Sequence, residues 1–168
     1  MSKKKIDAKE LVAKIERLAR ERMSSGEVVD LKSVRDFKNR KVKASVLVIE
    51  DDETMRAALK RILESDGLDV RTASDGTQLG EAIGDKPIDL IILDVGLPWI
   101  NGLELAKLLR EHESLKEIPL VFISGKTSEF DIKRGFEAGA NDYIKKPFEI
   151  EKVKKTIRTL LELNKDEN

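Results

Sequence analysis

The sequence has 168 residues, of which 40% are hydrophobic and 38% charged, and its formal net charge is zero; this is typical of a globular chain with one domain and a short extension. It contains no cysteine and a single histidine, His112, which excludes disulfides, thiolate metal sites and multi-histidine metal sites. No apolar run approaches the ~20 residues that a membrane span needs, and no apolar signal core follows the N-terminus, so we expect a cytoplasmic chain without membrane insertion.

Two segments of opposite charge share the chain. Residues 1–43 hold 14 Lys and Arg against 7 Asp and Glu, whereas residues 44–168 hold 18 against 25. Apolar residues recur at helical spacing over residues 6–23, which predicts an amphipathic helix followed by a charged linker. Because an isolated helix of this length is marginal in water, its apolar stripe should be buried against the domain, a second copy of the chain or another protein.

From Ala44 onward, short apolar runs alternate with amphipathic stretches. This pattern predicts a strand followed by a helix five times over, which gives a doubly wound α/β domain over residues 44–168 with a parallel sheet covered on both faces. The predicted strands are residues 46–49, 68–72, 88–93, 120–123 and 142–144, and the predicted helices lie near residues 54–66, 76–84, 101–112, 128–138 and 149–163.

Polar side chains end four of the five predicted strands. These ends are Glu50-Asp51-Asp52, Asp94, Ser124-Gly125 and Lys145-Lys146-Pro147. In such folds ligands bind outside the carboxyl ends of the strands, so these side chains should converge on one edge of the sheet.

The chemistry of that edge suits phosphoryl transfer to a carboxylate. Carboxylates brought together repel one another unless a hard divalent cation such as Mg²⁺ binds between them. The cation also neutralises an incoming phosphoryl group, while a lysine and a hydroxyl bind its remaining oxygens. Asp94 is the candidate nucleophile, because it follows the central apolar strand and precedes a loop that could cover the site.

Residues 45–165 resemble the receiver domain of two-component response regulators, the module that accepts a phosphoryl group from a histidine kinase. The resemblance implies the flavodoxin-like strand order 2-1-3-4-5. It also implies a signalling domain rather than an enzyme, with no chemistry beyond its own phosphorylation and dephosphorylation. The segments that carry the resemblance are residues 46–52, 89–98, 101–105, 123–125 and 139–148.

The same resemblance implies a phosphoacceptor and a metal site. Asp94 is the residue that would be phosphorylated. Asp51 would bind Mg²⁺ directly and Glu50 would assist, with Asp94 and the backbone carbonyl of Gly96 as further ligands. Asp52 would then begin the loop to the next helix.

Three further residues take switch or binding roles by resemblance. Lys146 would bind the phosphoryl group, Ser124 would move its hydroxyl toward that group, and the ring of Tyr143 would change its exposure. Each has a plainer interpretation: a solvated lysine, a helix cap and a core aromatic, respectively. Trp99 is expected in the exposed loop after Pro98.

The resemblance also predicts the partners. A sensor histidine kinase or phosphotransfer protein would donate the phosphoryl group, and a downstream protein would bind the surface formed by the fourth helix, fifth strand and fifth helix. Because the tail, residues 164–168, is short and polar, we expect no output domain after residue 165. Residues 1–43 are therefore expected to serve as a docking element or to form a homodimer.

Other functions remain open alternatives. A degenerate receiver would act as a constitutive protein-interaction module. A phosphohydrolase with an aspartyl nucleophile would need a second acid at position 96, where glycine stands, and no glycine-rich nucleotide motif follows the first strand. DNA binding through the basic residues 1–43 lacks a recognisable second helix, so nucleic acid is not the expected partner.

Overall fold

A computed structural model describes residues 43–166 and, before them, Ala13, Lys14 and Arg17. In this part of the chain five strands alternate with five helices, as the sequence predicts, and their bounds differ from the predicted ones by at most three residues. The predicted helix over residues 6–23 lies outside the described residues except for Ala13, Lys14 and Arg17, which are helical. The elements are β1 (Ser45–Ile49), α1 (Glu53–Ser65), β2 (Asp69–Ala73), α2 (Gly76–Asp85), β3 (Leu90–Leu93), α3 (Gly102–Glu111), β4 (Leu120–Ser124), α4 (Glu129–Glu137), β5 (Asp142–Lys145) and α5 (Ile150–Asp166).

The five strands form one parallel sheet in the order β2-β1-β3-β4-β5. This confirms the doubly wound flavodoxin-like fold. Strand order reverses beside β1, whose Ile49 lies opposite Leu93 of β3. The carboxyl ends of these two neighbouring strands therefore open into the crevice where ligands bind in this class of fold.

The central strands β1, β3 and β4 are buried on both faces. Leu47 and Ile49 belong to one core cluster, with residues of α2 and α3, whereas Val46 and Val48 belong to the other, with residues of α1 and α5. All four side chains are fully buried. This two-sided burial explains why the strands are continuous apolar runs in the sequence rather than alternating ones.

Side-chain caps start four of the five described helices, with Asp75 as the cap of α2. Asp52 caps α1 by accepting a hydrogen bond from the Met55 amide, and Asn101 caps α3 in the same way through the Leu103 amide. Ser128 caps α4. The helix-cap interpretation of Ser124 is therefore wrong, because Ser128 holds that position.

An ion pair joins the two helices that cover one face of the sheet. Asp66, at the C-terminal end of α1, accepts two hydrogen bonds from the guanidinium of Arg158 on α5. Lys154 Nζ lies 3.9 Å from the same carboxylate.

The described N-terminal residues contact the domain at α2. A Cβ atom built on Gly80 would lie 2.9 Å from Cε of Lys14, so the lysine stem passes directly over this glycine. Among the residues that the structure describes, none of the helices has the length and hydropathy of a membrane span.

Candidate functional site

Three carboxylates meet at the carboxyl ends of the two neighbouring strands β1 and β3. Glu50 and Asp51 follow β1, and Asp94 follows β3. One carboxylate oxygen from each residue lies within 4.8 Å of the others. The structure thus brings together the three acidic side chains that the sequence predicted to converge.

Lys146 reaches this cluster from the far side of β4. Its Nζ donates hydrogen bonds to Glu50 Oε2 at 2.6 Å and to Asp94 Oδ2 at 3.2 Å. Its backbone amide is bonded to the carbonyl of Ser124, and the peptide bond to Pro147 is cis. The neighbouring Lys145 is exposed, so Lys146 is the lysine that faces the carboxylates.

Burial strengthens the electrostatics of the cluster. Glu50 is only 2% exposed, and this burial raises the pKa of its carboxyl, although the hydrogen bond from Lys146 opposes the effect. Burial also acts to lower the pKa of the Lys146 ammonium, but the bonds and charges of Glu50 and Asp94 raise it overall. The lysine therefore stays charged at neutral pH.

The donor set fits a hard divalent cation. Three carboxylates with one ammonium leave an excess of two negative charges in a partly buried space. Mg²⁺ prefers oxygen ligands of this kind, usually from one or two carboxylates with water. Glu50, Asp51 and Asp94 are the side chains that would hold the ion.

Two glycines lie against Asp94, one bonded to its side chain and the other packed against its backbone. The amide of Gly96 donates to Asp94 Oδ1 at 3.1 Å, which orients the carboxylate. Gly102, the first residue of α3, packs so closely that a Cβ built on it would lie 2.2 Å from the carbonyl oxygen of Asp94. Its amide also donates to the carbonyl of Val95. The start of α3 can therefore rest on the backbone at the end of β3 only because residue 102 has no side chain.

Ser124 and Tyr143 are linked through the backbone of Lys126. Ser124 is 1% exposed, and its Oγ accepts a hydrogen bond from the Lys126 amide at 3.2 Å. The Tyr143 hydroxyl donates to the Lys126 carbonyl. The ring of Tyr143 is buried beside Phe122, with 5.8 Å between ring centroids, and burial raises the pKa of its hydroxyl.

Two residues that the sequence analysis did not assign to the site support its loops. Arg56 on α1 donates from Nη1 to the carbonyls of Glu50 and Asp51, at 3.0 and 3.2 Å. Trp99 donates from its indole to the carbonyl of Ser74 at 3.2 Å and packs, half-buried, against the core. Trp99 thus lies in the loop after Pro98, as expected, but its side chain is half-buried rather than exposed, and the indole joins the loop after β3 to the loop after β2.

A signal for Arg56 does exist in the sequence, because it lies one turn into α1, directly behind the acidic strand end. The contact of Trp99 has no such signal, since Ser74 lies 25 residues away along the chain.

Comparison with known families and structures yields consistent matches. The family model described as the response regulator receiver domain matches residues 46–158. Among solved structures, the chemotaxis protein CheY4 of Vibrio cholerae is 31% identical, with a TM-score of 0.65, over 70% of this chain and 98% of that chain.

Two curated relatives are longer than this chain. The aerobic respiration control protein ArcA of Escherichia coli K12 is 40% identical over 116 residues, which are 69% of this chain and 48% of ArcA. The DNA-binding response regulator MtrA of Mycobacterium tuberculosis H37Rv is 35% identical over 122 residues, 73% of this chain and 52% of MtrA. The chain thus spans about half the length of the curated relatives that it matches.

Proposed function

The chain belongs to the response regulator receiver domain family, and we propose that Asp94 is its phosphoacceptor, in a Mg²⁺-dependent reaction that switches partner binding. The observation that carries the proposal is the pair of hydrogen bonds from Lys146 Nζ to Glu50 and Asp94 inside the acidic cluster. An ammonium held on the nucleophilic carboxylate stands where the oxygens of an incoming phosphoryl group need positive charge.

In the proposed reaction an Asp94 carboxylate oxygen attacks phosphorus, and the bond from phosphorus to the donor's imidazole nitrogen breaks. Mg²⁺, held by Glu50, Asp51, Asp94 and the carbonyl of Gly96, would supply charge neutralisation on the phosphoryl oxygens. Lys146 binds one of those oxygens through Nζ. The Gly96 amide keeps the Asp94 carboxylate oriented for attack.

We propose that Ser124 transmits the phosphorylation of Asp94 to the partner-binding surface. Its hydroxyl turns toward the phosphoryl group, which loosens its bond with the Lys126 amide. Because the Tyr143 hydroxyl is bonded to the same residue, the change reaches α4, β5 and α5. A downstream protein that binds this surface would then distinguish the two states.

A sensor histidine kinase or phosphotransfer protein is the proposed donor, acting in the cytoplasm. Residues 44–168 form the proposed receiver, and the basic residues 1–43 form a separate docking or dimerising segment. The relative MtrA is named a DNA-binding response regulator, but the acidic balance of residues 44–168 disfavours contact of this part with phosphate backbones. Protein partners are therefore proposed here, rather than nucleic acid.

Intact-mass spectrometry of the chain with acetyl phosphate tests the proposal. We expect one added phosphoryl group with Mg²⁺, none after chelation of the metal, and none in Asp94→Asn. A folded chain that binds Mg²⁺ but gains no phosphoryl group, even when sampled before dephosphorylation, would instead support a constitutive protein-interaction module.

A further inference from the structure

The buried ring of Tyr143 packs directly against Gly135 of α4. We propose that Gly135 is a positioning residue for the switch: it provides the space in which Tyr143 lies inward, so it sets how strongly the tyrosine is coupled to Ser124. The regulatory part of this inference rests on the proposed function, but its geometric part does not.

The contact between the two residues leaves no room for a side chain. A Cβ built on Gly135 would lie 2.7 Å from Cδ2 and 2.9 Å from Cε2 of Tyr143, and 3.3 Å from Cδ2 of Phe122. Real Cβ atoms essentially never approach other atoms as closely as the first two distances. Even an alanine at position 135 would therefore displace the ring.

The backbone of α4 does not itself require glycine at this position. Gly135 is helical, and the positive-φ glycines of the described chain are Gly67 and Gly139. Glycine is a poor helix former, so its presence inside a nine-residue helix calls for another reason. The close approach of the tyrosine ring supplies it.

Gly135 is the fully buried residue of α4, whereas two large apolar side chains of the same helix are exposed. Phe130 and Phe136 on the same helix are 67% and 46% exposed. The packing of α4 thus combines the partly buried Ile132 with the close contact between Gly135 and the Tyr143 ring, and a change at Gly135 or Tyr143 moves the helix and the ring relative to each other.

The position of the ring decides whether its hydroxyl reaches the 124–126 segment. Inward, the hydroxyl donates to the Lys126 carbonyl, while the Lys126 amide donates to Ser124 Oγ. Both backbone groups of Lys126 are therefore bonded to the two proposed switch residues. If the ring moves outward, Lys126 loses one of these bonds and Ser124 is no longer tied to Tyr143.

The rate of nitration of tyrosine measures the ring position directly, because Tyr143 is the only tyrosine in the chain. The full chain is treated with tetranitromethane near neutral pH and followed by intact mass. We expect Gly135→Ala to nitrate several-fold faster than wild type, since its ring is exposed and its hydroxyl has lost the Lys126 carbonyl. The charged groups near the hydroxyl, Asp131, Asp94 and Lys126, are the same in both chains.

Lys133→Ala is the matched control on the same helix, because the Lys133 side chain is 76% exposed. It should nitrate at the wild-type rate. Equal nitration of Gly135→Ala and wild type, in chains that both unfold cooperatively in urea, would overturn the proposal. If Gly135→Ala does not fold, the proposal stands only if Gly135→Ala combined with Tyr143→Ala does, because removal of the ring removes the clash.

A phosphorylation measurement separates positioning from mere packing. Gly135→Ala should change the Mg²⁺-dependent rate of labelling by acetyl phosphate in the wild-type background, and leave it unchanged in a Tyr143→Ala background. An equal change in both backgrounds contradicts coupling through the ring. If no chain is labelled at all, the proposed function fails while the nitration result still decides the geometry.

Discussion

At the scale of the residue, the main feature of the site is that the ammonium of Lys146 bonds to two carboxylates. Lys146 Nζ bonds to Glu50 at 2.6 Å and to Asp94 at 3.2 Å. Burial raises the pKa of the Glu50 carboxyl, and the hydrogen bond from Lys146 opposes this effect; the lysine also holds a positive charge beside the proposed nucleophile. Its removal should therefore affect metal binding and phosphoryl transfer in opposite directions.

Lys146→Met tests this division of labour. At a pH where all three carboxylates are ionised, they repel one another more strongly without the ammonium, so Mg²⁺ should bind at least as tightly as in wild type. Labelling by acetyl phosphate should fall by about a hundredfold, the usual cost of removing one charge-stabilising donor. Calorimetric titration of Mg²⁺ and intact mass measure the two effects.

Lys145→Met is the control for that substitution, because Lys145 is the exposed neighbour of the same type. It should retain both properties. If Lys146→Met were labelled as fast as Lys145→Met, the lysine would have no role in phosphoryl binding.

Gly102→Ala tests the second residue-scale constraint. A Cβ at position 102 would lie 2.2 Å from the Asp94 carbonyl oxygen and 2.6 Å from Val95 Cα, both of which are backbone atoms. Although alanine favours helices, this overpacking should lower the free energy of unfolding by about 1–3 kcal/mol. It should also slow the labelling of Asp94.

Urea unfolding measures the change in stability, with Gly125→Ala as the unhindered control. A Gly102→Ala chain as stable as wild type would show that α3 can shift away from the strand end without cost.

Residues of the site differ in how far the sequence predicts them. Glu50, Asp51, Asp94 and Lys146 each follow an apolar strand, and the parallel topology alone brings them to one edge of the sheet. Gly102 and Gly135 could not be found in this way. A Cβ built on Gly102 or Gly135 would lie only 2.2 or 2.7 Å from atoms of other segments, and no periodicity within a helix encodes such close approaches.

At the scale of the element, strands and most helices follow from burial. On α5, Val153, Ile157 and Leu161 are buried at four-residue spacing, and this stripe is visible in the sequence. Within α4, whose residues are all described, Gly135 is the one fully buried residue. An apolar pattern predicts buried large side chains rather than a buried glycine. The apolar pattern of the sequence therefore predicts the packing of α4, the helix proposed to carry the signal, less well than that of α5.

The ion pair between α1 and α5 makes a pH-dependent prediction. The hydrogen bonds from Arg158 lower the pKa of Asp66 in the folded chain below its ordinary value of 3.8. A depressed carboxyl pKa stabilises the fold above the unfolded-state pKa, and this contribution is lost as pH falls through the lower folded value. The stability difference between wild type and Asp66→Asn should therefore shrink between about pH 6 and about pH 3.

Urea unfolding at each pH checks this prediction. Glu64→Gln on the same helix is the control, because the ion pair of Glu64 with Lys60 lies within α1 and is exposed. A difference between wild type and Asp66→Asn that is constant across this pH range would mean that the pair with Arg158 does not stabilise the fold.

At the scale of the whole molecule, the chain consists of a basic segment, residues 1–43, and an acidic segment, residues 44–168. Both core clusters and every proposed site residue lie between residues 44 and 161. Lys14, from the basic segment, contacts α2 at Gly80, and α2 supplies no site side chain. The chemistry should thus be independent of residues 1–43.

Deletion of residues 1–43 tests that independence. Because the sheet and its two cores remain, the shortened chain should fold, and its labelling by acetyl phosphate should stay within about twofold of wild type, a difference smaller than a single site contact makes. Intact mass and urea unfolding measure these properties. Loss of labelling in a folded shortened chain would place part of the site in the basic segment.

The central claim is that Asp94 receives the phosphoryl group, and locating the modified residue tests it most directly. Borohydride reduces an acyl phosphate of aspartate to homoserine, and tandem mass spectrometry of the digested chain then identifies the residue. We expect homoserine at position 94 alone, dependent on Mg²⁺ and on acetyl phosphate. Homoserine at position 51 or 52 with Asp94 intact would contradict it.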